Sequence, residues 1–164
     1  MPDRIIHTIA PVFDAQSRIL ILGTMPSPKS RENAFYYGHP QNCFWRILSA
    51  VFEETVPGTN SEKTVFLLWH HIALWDVLQS CDITGADDSS IRNPVPNDLR
   101  LILSQADIQA VFTTGKKAAQ LYRKLILPET GMPAHELPST SPANCARTTF
   151  EGLKAAHMAI LTWV

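Results

Sequence analysis

Apolar and polar positions along the chain fall into blocks that predict strands followed by loops and helices. Residues 18–22, RILIL, form an almost continuous apolar run closed by Gly23, as is typical of a strand buried on both faces of a parallel sheet. Residues 109–112, QAVF, and residues 135–137 are two further strand candidates. Residues 44–52, FWRILSAVF, have apolar side chains at helical spacing, so we expect a helix packed on that sheet.

The other segments continue this alternation of strands and helices. Residues 63–78 begin as a helix and end in the apolar stretch IALWDVL, and residues 82–94 are expected to form a polar loop. Helices are predicted to start at residues 96–98, to follow Gly115, and to cover about residues 149–161. The pattern predicts an α/β protein, a three-layer α/β/α sandwich with a mostly parallel central sheet of about four strands, as one domain over residues 1–164.

Composition is that of a folded globular chain. Apolar residues make up 45% and charged residues 18% of the 164 positions, and the formal net charge is -1. This balance gives no global positive field for nucleic acid, although a local basic face is compatible with it.

The three cysteines, Cys43, Cys81 and Cys145, are odd in number and widely spaced. They fit neither a disulfide framework nor a CxxC metal pair, which favours a reduced, cytoplasmic protein. The N-terminal segment MPDRIIHTIAPVF lacks the apolar core of a signal peptide, and no run approaches transmembrane length. We therefore expect no association with a membrane.

Candidate chemistry gathers in three loops, residues 23–43, 113–117 and 138–145. In doubly wound α/β folds ligands bind where parallel strands end, and these loops are rich in Gly, Pro, Ser, Thr, Asn and Lys. Such side chains and their backbone amides are suited to contacts with phosphates and bases. Lys116 and Lys117 either place charge near a phosphate or form a solvated helix start.

Other reaction classes have weaker support. A phosphate-binding Walker loop needs a glycine where this chain has Ala110, and no HExxH or similar cluster indicates a metal. The histidines, His7 and His157 among them, are expected in structural or surface roles. Ser139 and Ser141 lack the GxSxG elbow of a serine hydrolase.

Three motifs in order resemble the uracil-DNA glycosylase superfamily: GTMPS at residues 23–27, YYGHPQNCFW at 36–45 and LPSTSPAN at 137–144. The likeness covers nearly the full chain and is strongest to the hypoxanthine-DNA glycosylase branch, also called DNA-deoxyinosine glycosylase. It implies the fold of that superfamily and an enzyme that flips a deaminated base out of the DNA stack and cuts its N-glycosidic bond.

Two positions depart from the motifs. Cys43 stands where arginine is common in the branch, and Met25 stands where many members of the superfamily have a catalytic Asp or Asn. A methionine cannot activate water, and the resemblance implies that Asn42 is the catalytic residue instead. An amide side chain offers a donor and an acceptor, although it is not a useful general base.

Phe44 and Trp45 begin the predicted helix and are expected to pack in the core and anchor the loop of Asn42, which His39 helps to shape. The resemblance implies roles for other motif residues, and Tyr37, with Tyr36 as an alternative, would stack on the flipped base. Base binding is expected at Gly23, Thr24, Met25 and Tyr37. Contacts with DNA are expected at Ser27, Pro138, Ser139, Thr140, Ser141 and Lys116. No metal or other cofactor is required by this mechanism.

The resulting hypothesis is a monofunctional, monomeric glycosylase of base-excision repair that removes hypoxanthine from double- or single-stranded DNA. A preference for uracil or xanthine is an alternative within the same class. A module that binds damaged DNA without cleaving it is an alternative from another class, favoured by Met25 and disfavoured by Asn42. A small-molecule hydrolase on a similar fold is a third possibility.

Overall fold

The computed structural model describes residues 2–164, and its strands and helices alternate along most of that range. The strands are β1 (Asp3–Ile6), β2 (Ile19–Gly23), β3 (Ile72–Asp76), β4 (Leu78–Thr84), β5 (Asp87–Pro96), β6 (Ala110–Thr114) and β7 (Ala134–Leu137). The α-helices are α1 (Pro28–Asn33), α2 (Phe44–Val51), α3 (Asn60–Trp69), α4 (Arg100–Leu103), α5 (Lys116–Leu121), α6 (Leu127–Thr130), α7 (Pro142–Arg147) and α8 (Phe150–His157).

The central sheet contains four parallel strands in the order β3-β2-β6-β7. Every residue of β2, β3 and β6 is buried, because helices cover both faces of this sheet and leave no side for polar residues. The predicted three-layer α/β/α sandwich is therefore confirmed. The pairing places Gly23 at the end of β2 opposite Asp76 at the end of β3, so the loops that follow them start side by side.

A second, antiparallel sheet in the order β1-β4-β5 corrects the prediction of a polar loop at residues 82–94. An antiparallel sheet needs only alternate side chains on its buried face, and here Cys81, Ile83 and Ile91 supply them. The polar residues between them face outward and made this segment resemble a loop.

The helices that were predicted agree with their expected positions to within a few residues, whereas α1 corrects the prediction that residues 23–43 form a loop throughout. α2 buries Phe44, Trp45, Ile47, Leu48 and Val51 and contacts α8, while α3 contacts β3. The helix after Gly115 is interrupted by a π-helical turn, Tyr122–Ile126, just before Pro128, whose ring removes one backbone donor. The closing helix is α8 followed by a 3₁₀ turn, Met158–Thr162.

No helix within residues 2–164 is long and apolar enough to cross a membrane.

Candidate active site

The site lies where β2, β3 and β6 end, and its floor is a close approach between Gly23 and Asp76. A Cβ atom added to Gly23 would come within 2.5 Å of Asp76 Oδ1 and 3.2 Å of the Tyr37 hydroxyl oxygen. Only glycine leaves room for both polar groups at this point. The glycine of the GTMPS motif therefore leaves space for the Asp76 carboxylate and the Tyr37 hydroxyl at the end of the sheet.

Tyr37 reaches this floor from the loop between α1 and α2. Its hydroxyl is hydrogen-bonded to Thr114 Oγ1 at 3.1 Å, and its ring stacks on Phe44 with centroids 3.9 Å apart and planes 15° from parallel. Burial, and secondly the charge of Asp76, raises the pKa of the Tyr37 hydroxyl well above its usual range, so the phenol is neutral. Because Phe44 covers one face of the ring, a base that stacks on Tyr37 has the other face to use.

Tyr36 is part of the core, which removes it as an alternative for base stacking. It is 2% exposed, and its hydroxyl donates to the backbone carbonyls of Ile9 and Ala10. The Trp45 indole N–H donates to the Tyr36 carbonyl at 3.1 Å. The expected anchoring role of Phe44 and Trp45 agrees with their burial, at 0% and 5% exposure.

Asn42 is half-buried at the start of α2, and its amide is oriented by the backbone. Its Oδ1 accepts a hydrogen bond from the Phe44 N–H at 2.9 Å, while the backbone N–H of Asn42 donates to the His39 carbonyl. His39 Nδ1 accepts from the Gln41 N–H, which supports the expected loop-shaping role of this histidine. Within residues 2–164 the Asn42 Nδ2 group has no hydrogen-bond partner, so it is the end of the amide available to a substrate.

Cys43 and Cys145 form a disulfide, which corrects the interpretation of the three cysteines as reduced thiols. Their Cα atoms are 6.5 Å apart although 102 positions separate them in sequence. The Cys43 N–H also donates to the Thr140 carbonyl at 3.1 Å. The residue that replaces the expected arginine therefore links the loop of Asn42 to the LPSTSPAN loop, a pairing that spacing alone could not reveal.

The LPSTSPAN loop is held by its own side chains. Ser139 Oγ accepts from the Ser141 N–H, and Asn144 Nδ2 donates to the Ser139 carbonyl at 2.6 Å. Ser141 caps α7 by accepting from the Asn144 N–H, so residues expected to be loop form a short helix. Pro138, Ser139 and Ser141 are partly exposed, whereas Thr140 is 2% exposed. Its burial leaves the Thr140 side chain unable to contact DNA in this conformation.

Glycine at position 115 brings the second and third loops together. A Cβ atom there would lie 3.3 Å from Ser139 Cβ, and the residue has a φ of +89°, a conformation that favours glycine. Lys116, which follows directly, is exposed. Ser139 and Lys116 are thus neighbours on one side of the site.

The remaining predicted residues belong to the first loop. Ser27 is half-buried and caps α1, where its Oγ accepts from the Ser30 N–H. Thr24 is buried, and its carbonyl accepts from the Leu78 N–H. Met25 is partly buried against the core. The structure brings these residues to the same end of the sheet as Tyr37.

Two residues of the candidate site, Asp76 and His7, were not predicted from the sequence. Asp76 is the last residue of β3 and ends the run IALWD, and a charged residue at the end of a buried strand is a signal that the sequence contains. His7 Nε2 lies 2.8 Å from Asp76 Oδ2, and the two side chains are 2% and 6% exposed. His7 was expected to have a structural or surface role, and nothing in its local sequence indicates this partner.

A separate cleft lies away from the three loops. It has a volume of about 530 Å³ between residues 54–57 and α3, and it includes the exposed Trp69. None of the residues of the three loops lines this cleft, so it is separate from the candidate site. Residues 2–164 contain no cluster of three or more His, Cys, Asp or Glu side chains arranged to hold a metal ion.

Comparisons with known proteins agree with this fold. A model of the uracil DNA glycosylase superfamily matches residues 10–161. A hypoxanthine DNA glycosylase from Methanosarcina barkeri is 33% identical over 136 residues, 82% of this chain and 85% of that protein. A second one, from Methanosarcina acetivorans, is 35% identical over 135 residues, 81% of this chain and 84% of that protein.

A solved structure is also similar. The solution NMR structure of a candidate uracil DNA glycosylase from Methanosarcina acetivorans superposes with a TM-score of 0.79 at 28% identity, covering 94% of this chain and 98% of that one. The chain belongs to the uracil DNA glycosylase superfamily. It is a DNA glycosylase, an enzyme that acts on DNA and cleaves N-glycosidic bonds.

Proposed function

We propose that this glycosylase removes hypoxanthine from deoxyinosine in DNA and leaves an abasic site. The observation that carries the proposal is the Asn42 amide, oriented by the Phe44 N–H and with its Nδ2 group free at the edge of the site. The names of the two relatives that cover most of the chain support the choice of base.

Asn42 acts on both sides of the bond that breaks. Cleavage leaves positive charge on the sugar and negative charge on the departing base, and donors aimed at the base lower the barrier. The Asn42 Nδ2–H group supplies such a donor. Its Oδ1 has two lone pairs, of which the Phe44 N–H uses one, so the other can hold the attacking water. Positioning of that water, rather than removal of its proton, is the role assigned to the amide.

The flipped base occupies what we term the base slot, the space beside the face of Tyr37 opposite Phe44 and next to Gly23 and Asp76. A base stacked on Tyr37 with its edge toward the hydroxyl end of the ring approaches Asp76 Oδ1. Hypoxanthine carries a ring N–H beside a carbonyl, and a carboxylate accepts from that N–H. Adenine has an unprotonated nitrogen at the same position and would meet the carboxylate as a second acceptor, which disfavours it.

The DNA backbone crosses the exposed part of the three loops. Ser27, Pro138, Ser139, Ser141 and Lys116 are assigned to phosphate and sugar contacts, because they are at least partly exposed around the base slot. Neutralisation of phosphates releases counterions, so affinity for lesion DNA is expected to fall as salt rises. A flat salt response would argue against this assignment.

The test uses the purified protein and duplexes that carry one deoxyinosine, deoxyuridine or deoxyxanthosine. The same lesion-containing strands in single-stranded form make a second series of substrates. Alkali cleaves the abasic product, and single-turnover rates are compared. The expected result is fastest cleavage at deoxyinosine. Absence of a cut strand with every lesion, from a folded protein that binds the DNA, would contradict the proposed function.

Uracil is a second candidate substrate, favoured by one specific feature of the site. Its N3–H also lies beside a carbonyl, so it offers Asp76 Oδ1 the same donor. The smaller ring covers less of Tyr37, and we therefore expect slower excision of uracil than of hypoxanthine. A higher rate on uracil in the same assay would reverse the assignment.

A further inference from the structure

His7 and Asp76 form a buried pair, and the proposed reaction assigns a role to Asp76 but none to His7. His7 follows β1, which belongs to the antiparallel sheet, while Asp76 ends β3 of the parallel sheet. Their Nε2–Oδ2 distance is 2.8 Å, and the imidazole is 2% exposed. A carboxylate only accepts, so His7 Nε2–H is the donor of this hydrogen bond.

The pair leaves the other oxygen of Asp76 free. Within residues 2–164, Asp76 Oδ1 has no hydrogen-bond partner. The side-chain polar atoms there that are both fully enclosed and unpaired are Thr113 Oγ1 and His157 Nε2. Asp76 Oδ1 is not one of them, so it keeps an opening to the outside, beside Gly23 and Tyr37.

We propose that His7 is a positioning residue for base selection, which acts through Asp76. Its hydrogen bond fixes the carboxylate so that Oδ1, an acceptor, stays turned toward the base slot. This inference rests on the proposed function and extends it, because it assigns the preference for bases with a ring N–H beside a carbonyl to a residue outside the three motifs.

Loss of the donor has a defined consequence for selectivity. Without His7, a nearly buried carboxylate has no partner to fix its orientation, and it is free to rotate. A rotated group no longer presents a fixed acceptor to the ring N–H. The advantage of hypoxanthine over a base without that N–H should then shrink, whereas a general loss of structure would slow both substrates equally.

The experiment compares His7→Leu, His7→Gln and His7→Asn in the full-length protein. The Gln amide nitrogen reaches about as far as imidazole Nε2, and the Asn amide nitrogen is one methylene too short. His135→Leu, an exposed position outside the site, is the matched control. Single-turnover rates and affinities are measured on duplexes with deoxyinosine and with 1-methyl-2′-deoxyinosine, which lacks the N1–H.

We expect wild type, His7→Gln and His135→Leu to favour deoxyinosine over its N1-methyl analogue. His7→Leu and His7→Asn should reduce that ratio at least about tenfold, and the double variant His7→Leu/Asp76→Asn should be no worse than Asp76→Asn alone. Equal losses on both substrates, unchanged ratios, or additive effects in the double variant would each overturn the role of His7. If His7→Leu does not fold, the comparison of His7→Gln with His7→Asn decides the question.

Failure of the proposed function gives a different result. A wild-type protein that cuts no deoxyinosine contradicts the proposed function directly. In that case the affinities for the same two duplexes test His7, and a wild-type preference for deoxyinosine that His7→Asn loses would support the inference. Equal affinity of wild type for both duplexes would overturn it.

Discussion

Asn42 Oδ1 accepts a hydrogen bond from the Phe44 N–H at 2.9 Å, and this bond orients the side-chain amide at the start of α2. The same contact gives Asn42 a structural role, because it satisfies a backbone donor at the start of α2. Two variants separate that role from catalysis. Asn42→Asp keeps the side-chain acceptor and removes the amide donor, while Asn42→Ala removes both.

Asn42→Ala is expected to lower single-turnover excision of deoxyinosine at least about tenfold, roughly 1.4 kcal/mol of barrier. It should also cost about 1 kcal/mol of stability through the lost hydrogen bond to the Phe44 N–H. Asn42→Asp should lose excision to a similar extent but keep its melting temperature. Gln41→Ala, an exposed neighbour, serves as the control. A fully active Asn42→Asp would show that the amide donor is not needed.

Tyr37 provides a test of stacking that is separate from its hydroxyl. Tyr37→Phe keeps the aromatic ring and removes only the hydrogen bond to Thr114. We expect it to excise deoxyinosine within about threefold of wild type, whereas Tyr37→Leu should lose at least about tenfold, because a flipped base is held largely by stacking. Tyr36→Phe is the matched control, and its effect should be on thermal stability alone, through the lost bonds to Ile9 and Ala10. Equal rates for Tyr37→Phe and Tyr37→Leu would remove stacking from the account.

The fold could be predicted where periodicity and burial agree. β2 and α2 were located to within one residue, because a strand buried on both faces and an amphipathic helix each leave a strong pattern. The hairpin of β4 and β5 was missed because Gly85 lies between the two strands, and because β5 has a single buried residue and is rich in exposed Asp and Ser, which are typical of loops.

Residues of the candidate site could be proposed from the sequence only where they lie in contiguous motifs. Tyr37 and Asn42 share one stretch of sequence, and its resemblance to known glycosylases indicated both. The partners of Asp76 and Cys43 are 69 and 102 positions away. One sequence without relatives contains no signal for such pairings, since spacing does not determine which distant side chains meet.

The disulfide between Cys43 and Cys145 is expected to contribute strongly to stability. A cross-link that closes a loop of roughly 100 residues lowers the entropy of the unfolded chain, which corresponds to about 4.7 kcal/mol in the simplest treatment. Cys145→Ser should therefore lower the free energy of unfolding by several kcal/mol in urea melts without reductant. In excess dithiothreitol the free energy of unfolding of wild type should fall to that of Cys145→Ser, and reductant should leave the value of the variant unchanged. Cys81→Ser, at the free buried cysteine, is expected to retain the sensitivity of wild type to reductant. A wild type that melts identically with and without reductant would contradict the cross-link.

His157 in α8 is expected to make stability depend on pH. Its Nδ1–H donates to the Leu153 carbonyl at 2.7 Å, its Nε2 has no partner within residues 2–164, and the residue is 0% exposed. Burial lowers the pKa of His157 below its ordinary value of 6.5, and the bond to Leu153 offsets only part of that effect.

The direction of this pH dependence follows from the number of protons that the folded and unfolded chains bind. Below pH 6.5 the unfolded chain protonates this imidazole before the folded chain does, so the contribution to stability is complete above pH 6.5 and decreases as the pH falls toward the lowered folded pKa. Urea melts between pH 8 and pH 5 should show wild type losing more stability on acidification than His157→Gln. His135→Gln, at an exposed histidine, should follow the wild-type profile. Parallel profiles for wild type and His157→Gln would show that His157 has the same pKa in the folded and unfolded chains.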